Sequence, residues 1–333
     1  VYKRQDLGRE KFIKKVWQWK EESGGIILDQ LKKLGCSCDW SRSRFTMDKD
    51  LSKAVIKVFV DLYNNKLIYK DKKLINWDTQ LQTAISDLEV VQKEVQSQLY
   101  YIDYQLENSG TKITIATTRP ETMMGDTAIA VNPKDDRYLN LIGKNVKIPV
   151  VNRTIKIIAD RYADPEQGSG AVKITPAHDF NDYEVGKRNN LQIVNIFEKD
   201  GKINKNGINE YVGLDRFEAR KLLIKQLKDD GKLVKIETIK NKVPYGDRSN
   251  SIIEPLLTEQ WFVDAKRLST KPIEIVNKGK TSFFPNNWTK IFYQWMKNIE
   301  PWCISRQIWW GHRIPAWYDD CLLYTSGRCR RRG

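Results

Sequence analysis

Along the first ninety residues the apolar positions recur at helical spacing. Phe12, Ile13, Val16 and Trp17 form one stripe. Ile27, Leu28, Leu31 and Leu34 form a second, and Gly35 follows as a C-terminal stop. Leu51, Ala54, Val55, Val58, Phe59, Leu62 and Tyr63 form a third, for which Asp48 or Asp50 is the expected N-cap. Stripes of this kind face a core and carry no chemistry of their own. The pattern changes near Val95. Short β-rich runs then alternate with turns: Lys112 to Thr118, Thr127 to Val131, Val146 to Val151, Thr154 to Ala159, Ala171 to Thr175 and Ile193 to Phe197. Asn-Pro, Asp-Pro and several glycines punctuate them. This spacing predicts a β-barrel-like domain. One helix interrupts it, Arg216 to Asp229, with Asp215 as cap and Gly231 as stop. After about Ser251 the helical period returns. Ile291, Phe292, Trp295, Met296 and Ile299 mark an amphipathic helix that leads into a tryptophan-rich segment, Trp302 to Trp317. The pattern predicts a β module inserted between two parts of another domain.

Composition narrows the class. A chain of 333 residues with 40% hydrophobic and 30% charged positions has room for two globular domains. No apolar run approaches the roughly 18 residues of a membrane helix, and no signal peptide opens the chain, so no membrane partner and a soluble, cytoplasmic setting are expected. The five cysteines include no C-x-x-C pair, and there are only two histidines, so no metal site is expected and reduced thiols fit best. A net charge of +15 suits a polyanionic partner such as nucleic acid. A basic surface kept for solubility is the alternative. Both ends read as foreign: Val1 to Gln5 fits nothing that follows, and Cys321 to Gly333 has no periodicity and closes on a basic run. Residues 1–5 and 320–333 are therefore expected to be non-native, a genuine RNA-binding tail being the other reading.

Two segments concentrate the chemistry, Ile113 to Pro133 (ITIATTRPETMMGDTAIAVNP) and Gly168 to Gly186 (GSGAVKITPAHDFNDYEVG). Neither has the order of a covalent catalyst. They supply hydroxyls (Thr117, Thr118, Thr122, Thr175), cations (Arg119, Lys173) and carboxylates (Asp179, Asp182). Such a set can hold a water, a ribose or phosphate, and an ammonium group together. That suits water attack on an activated ester, where orientation and oxyanion donors supply most of the catalysis. Each feature also has an ordinary structural reading. The threonines of Lys112 to Thr118 are common strand residues, Gly168 and Gly170 can shape a turn, His178 alone is more often structural, and Asp179 or Asp182 can cap a helix starting near Asn181.

TTRPETMMGDTAIAVNP and GAVKITPAHDFNDYEVGKR resemble the two signature peptides of the editing insertion in the valyl, isoleucyl and leucyl class I aminoacyl-tRNA synthetases. The flanks are similar too. Leu74 to Val90 resembles the lead-in to that insertion, Ile253 to Val263 the return to the catalytic domain, and Pro301 to Tyr318 a later catalytic-domain peptide. Trp309 to His312, Ile314 to Tyr318 and Ala177 to Tyr183 resemble the valyl type.

The resemblance implies an α/β fold in which a partial Rossmann-type catalytic domain (6–95 and 251–319) is interrupted by a β-barrel-like editing domain (96–250). It implies an ATP- and Mg-dependent ligase, a monomeric parent that joins valine to tRNA(Val), and hydrolysis of mischarged threonyl-tRNA(Val). By the same resemblance Asp182 holds the α-ammonium group. Thr175 and Lys173 line the amino-acid and ester region. Arg119, Thr117, Thr118, Thr122 and His178 contact the substrate, and Asp179 binds the threonine hydroxyl or supports the water. Gln167 stands where some relatives have an aromatic residue. A His-Ile-Gly-His type signature is expected before residue 1, and a Lys-Met-Ser-Lys-Ser type loop beyond Asp319. No cofactor is assigned to the chain's own residues. The competing readings are an isoleucyl-type fragment, a free-standing editing hydrolase and a non-enzymatic RNA-binding adaptor. A free-standing hydrolase would have no use for Trp302 to Tyr318, and an adaptor none for the Thr/Arg and Asp/Lys set.

Overall fold

The computed structural model describes residues 4–151, 153–318 and 323–325. They fall into two compact units. One comprises the described residues up to Lys70 and those from Trp261 onward; the other is Asp71–Gln260. The expected leader and tail lie mostly outside the described residues. From them only the start of a short helix, Arg4–Leu7, and a strand, Leu323–Thr325, antiparallel to Ala316–Tyr318, are described.

The first unit is mainly helical. Helix Arg9–Lys33 joins the first two apolar stripes into one element and ends where Gly35 takes φ 78° and donates its N–H to the carbonyl of Lys32. Helix Lys49–Asn64 has Asp48 at its N-cap position, but that carboxylate accepts the amide of Phe45 (2.9 Å), not a helix amide. Phe59 from this helix is buried with Ile68, Trp261 and Val263, and meets the Trp261 ring edge-on at 5.5 Å. The end of strand Glu254–Val263 pairs with Trp302–Cys303. Helix Trp288–Lys297 carries the expected stripe up to Met296. Helix Ala265–Asn277, capped by Asp264, is absent from the sequence reading.

The second unit holds a seven-stranded sheet with two helices. Its strands are β1 (Val90–Leu106), β2 (Lys112–Thr117), β3 (Ala128–Val131), β4 (Asn145–Lys147), β5 (Thr154–Ala159), β6 (Ala171–Ile174) and β7 (Leu233–Gly246). The helices are α1 (Phe180–Arg188) and α2 (Arg216–Asp229). The order is β2-β1-β4-β5-β3-β6, and β7 pairs with β1. Edge strands β2 and β6 lie beside one another, so the sheet is a nearly closed barrel. Alternation explains its interior: Ile102 and Tyr104 of β1 face inward, opposite Ile115 and Ile113 of β2. β3 is buried on both faces. Ile129 and Val131 join the main core, while Ala128 and Ala130 pack with Ile174 and Val185 under α1. The small side chains let helix and sheet approach.

α2 occupies the expected residues. Asp215 accepts the amide of Phe217, and Gly231 has φ 64°. Two expectations change. Ile193 to Phe197 forms no ladder beyond one bridge, Phe197 to Ile203. Side chains take the backbone groups instead: His178 Nε2 accepts the amide of Ile196, and Asn204 donates to the carbonyls of Asn195 and Phe197. Val146 to Val151 is strand only over its first residues. After Lys147 the chain turns back, with Val150 at φ 66°. No helix among the described residues is long and apolar enough to cross a membrane.

Candidate functional site

A cavity of about 890 Å³ opens beside β2 and β6. All nine candidates line it: Thr117, Thr118, Arg119, Thr122, Lys173, Thr175, His178, Asp179 and Asp182. Thr117 closes β2, and Thr118 and Arg119 lead into the short 3-10 turn Pro120–Gly125 that carries Thr122. Lys173 lies on β6, Thr175 just beyond it, and Asp182 in the first turn of α1.

Register explains the placing of Lys173. It pairs with Ile129, so its side chain points into the barrel rather than to solvent. A buried ammonium group there must be hydrogen-bonded. It donates to Thr122 Oγ1 (2.7 Å), to Thr175 Oγ1 and to Asp126 Oδ1 (3.2 Å). Asp126 also accepts the hydroxyls of Thr175 (2.6 Å) and Tyr104 (2.7 Å). Burial raises the Asp126 carboxyl against the pull of Lys173, and burial then Asp126 push the Tyr104 phenol well up. Asp126 and Tyr104 are absent from the sequence-derived set, although Asp126 stands inside the first signature segment.

The two acidic candidates differ. Asp179 is exposed and caps α1; its Oδ1 accepts the amides of Asn181 (2.8 Å) and Asp182 (3.1 Å). Asp182 is buried and accepts the amide of Thr175 (2.9 Å). Burial, then the neighbouring Asp179, push its carboxyl up to about 7, while Lys173 pulls the other way.

His178 is buried against Phe197, ring centroids 4.5 Å apart. Its Nε2 accepts the Ile196 amide (3.0 Å), which assigns the proton to Nδ1, and Nδ1 has no partner among the described residues. Burial, with Arg119 and Lys173 nearby, holds the ring neutral.

Arg119 is tightly held. Its Nε faces Glu121 (3.3 Å), one terminal nitrogen donates to the carbonyl of His178 (3.0 Å), and the other pairs with Glu254. Glu121, fully buried, takes both Nε (2.6 Å) and a terminal nitrogen (2.7 Å) of Arg220. Glu254 also pairs with Arg216 (2.8 Å). Burial alone would raise the Glu121 carboxyl, but Arg220 and Arg119 bring it below its ordinary range. These partners, too, lay beyond the sequence reading.

The cavity rim is a loop fastened at several points. Asp160 takes Arg188 through two oxygens (2.6 and 2.8 Å), which holds its carboxyl at about 2. Asn132 donates to the carbonyl of Ala163, Arg137 to that of Pro165 and Tyr138 to that of Ser169. Gly170 has φ 80°, a conformation that strains any residue with a side chain, and a Cβ there would also displace the Arg137 guanidinium.

Chemically the cavity offers a buried carboxylate for a cation, and an ammonium with two hydroxyls for a polar acyl group. Among the described residues no group of three or more His, Cys, Asp or Glu side chains is set to hold a metal.

The family model described as tRNA synthetases class I (I, L, M and V) matches residues 2–323. The chain is 72% identical over 313 residues to the valine–tRNA ligase of Pelagibacter ubique, covering 94% of this chain and 36% of that protein. It is 56% identical over 337 residues to the valine–tRNA ligase of Rhodopseudomonas palustris, covering 95% and 35%. It is also 56% identical over 332 residues to that of Rhizorhabdus wittichii, covering 97% and 37%. The chain thus spans little more than a third of the length of these relatives.

Proposed function

Because the chain belongs to the class I tRNA synthetases of the I, L, M and V group, we propose that it is the hydrolytic-editing portion of a cytoplasmic valine–tRNA ligase. On this reading a longer, monomeric protein attaches valine to tRNA(Val) with ATP and Mg, and residues 6–95 and 251–319 belong to its Rossmann-type catalytic domain. Residues 96–250 are the inserted module that clears threonyl-tRNA(Val). Valine and threonine are near isosteres, and an apolar pocket rejects an added hydroxyl poorly, a limit for which valyl enzymes are the known example. A second site that hydrogen-bonds the hydroxyl removes the error, because valine would leave its polar groups unpaired.

The observation that carries the proposal is the convergence of Asp182, Lys173, Thr175 and Thr122 on one cavity. Asp182 takes the α-ammonium group of the mischarged amino acid and gives up its proton when that cation arrives. Thr122, Thr175 and Lys173 surround the ester. Water bonds to the ester carbonyl carbon, the bond to the ribose oxygen breaks, and that oxygen leaves as a hydroxyl. Lys173 supplies positive charge where the oxyanion develops. Thr117, Thr118 and Arg119 face the terminal adenosine, Asp179 reads the threonine hydroxyl, and neutral His178 walls the pocket.

The test is deacylation of preformed threonyl-tRNA(Val) and valyl-tRNA(Val). The expected result is preferential hydrolysis of the threonyl ester, with Asp182→Ala slowing it about a hundredfold or more. An Ala variant that hydrolyses at the unmodified rate overturns the assignment.

A further inference from the structure

A polynucleotide whose 3′ end enters the cavity must leave it as a strand carrying one charge per phosphate. The cations lining the cavity are Arg119, Lys173 and Arg161. Arg119 is committed to Glu121 and Glu254, and Lys173 to Asp126, Thr122 and Thr175. Among the described residues no ion pair or hydrogen bond engages the exposed Arg161 guanidinium. Arg161 also lines a second, open groove of about 630 Å³, together with Pro133, Ala159, Asp160, Tyr162 and Arg188. Arg161 and Tyr162 are the residues common to cavity and groove. Arg188 adds little charge there, because Asp160 neutralises it through two oxygens.

The position is preorganised. The amide of Asp160 donates to the carbonyl of Val131 (2.9 Å), the Asp160 carboxylate accepts the amide of Tyr162 (2.9 Å), and the carbonyl of Ala163 accepts from Asn132 (2.8 Å), so the backbone on both sides of Arg161 is fixed. Asp164, on the same loop, accepts the amide of Glu166 (3.0 Å). A free cation next to an exposed aromatic ring is the combination that tracks a single strand, the cation on the backbone and the ring on a base.

We propose that this groove is the exit path for the RNA strand: Arg161 meets the phosphate joining the terminal nucleotide to the one before it, and the Tyr162 ring packs on the preceding base. The inference rests on reading the cavity as the editing site.

The test has two readouts. Binding of a fluorescein-labelled RNA hairpin with a single-stranded 3′ ACCA end is measured by anisotropy across a salt series. Arg161→Glu is expected to weaken it about tenfold or more and to flatten the slope of log K against log salt by about 0.7, the value for one single-strand phosphate contact. Arg161→Lys should keep most of the affinity, and Tyr162→Leu should also lose about tenfold. Hydrolysis of threonyl-tRNA(Val) by Arg161→Glu should show a raised KM with an unchanged kcat, whereas 3′-O-threonyl-adenosine, which has no phosphate, should be hydrolysed normally. Equal RNA binding by Arg161→Glu and the unmodified chain overturns the proposal. So does an equal loss on both esters, which would put Arg161 inside the cavity's own chemistry. If the unmodified chain hydrolyses neither ester, the editing reading fails, and the RNA-binding arm alone decides whether the groove holds a strand.

Discussion

Replacing Asp182 by asparagine should make the protein more stable while removing its proposed activity. In the folded chain the carboxyl rises from 3.8 to about 7, chiefly through burial and then through Asp179. The native state therefore binds the proton more tightly than the unfolded chain does. Stability associated with this group is fully present below about pH 3.8 and is lost as pH rises through about 7. At roughly 1.36 kcal/mol per unit, the ionised carboxylate costs about 4 kcal/mol at pH 8, an upper bound because the site relaxes. Asparagine carries no such penalty, and its side-chain oxygen can still accept the Thr175 amide that Asp182 holds at 2.9 Å. The assay is thermal melting of both proteins from pH 4.5 to 8.5. At about 2–4 °C per kcal/mol for a unit of this size, Asp182→Asn should melt several degrees higher at pH 8, and the gap should shrink to about a quarter of that near pH 4.5, a little above the unfolded value of 3.8. A gap independent of pH, or an Asn variant that melts lower at pH 8, would refute the reasoning.

The same titration predicts that kcat/KM for threonyl-tRNA(Val) rises with pH through about 7, as Asp182 ionises; a profile flat from pH 6 to 8 would count against an Asp182–ammonium contact. Glu121→Ala should lower stability by about 3–5 kcal/mol, read from urea unfolding, because it strands Arg220 and one side of Arg119 without their buried partner. Asp179→Ala should cost about 1 kcal/mol through the lost cap of α1, and Asp179→Asn much less, which melting curves resolve. On the proposed reading the ATP signature peptides belong to other parts of the longer protein, so the chain alone should give no valine-dependent pyrophosphate exchange above a no-protein control.

What the sequence made legible was local. α2 emerged with its full bounds because helical period, Asp215 cap and Gly231 stop all agreed. The β1–β7 ribbon did not. Its outer half is rich in lysine, glutamine and glutamate and half-exposed on both faces, so no strict alternation marks it. The candidate residues were readable because they cluster in two peptides and resemble a known pair of motifs. Their partners were not. Glu254 reaches Arg119 across 135 positions, Arg220 reaches Glu121 across 99, and Lys173 reaches Asp126 across 47. No periodicity reports such distances. Glu121 and Asp126 stood inside the first signature segment, yet only the fold reveals that one anchors arginines and the other an ammonium.

The buried charges divide into two kinds, and the division bears on where a substrate charge would go. Glu121 and Glu254 are matched by Arg119, Arg216 and Arg220 in a continuous chain, and the pairing outweighs burial to bring the Glu121 carboxyl below its ordinary range. Asp126 is likewise matched, by Lys173. Asp182 is not: among the described residues no cation lies within ion-pair distance of it, and its one hydrogen bond is to a backbone amide. A buried carboxyl without a counter-ion is costly once ionised, and nothing in the packing of α1 requires it, since Asp179 already supplies the cap. Such a deficit is relieved by a ligand that brings its own cation. An α-ammonium group fits that role, because every aminoacyl ester carries one whatever its side chain. On the proposed reading, Asp182 would therefore recognise aminoacyl esters as a class, and the choice between threonine and valine would fall to the exposed Asp179.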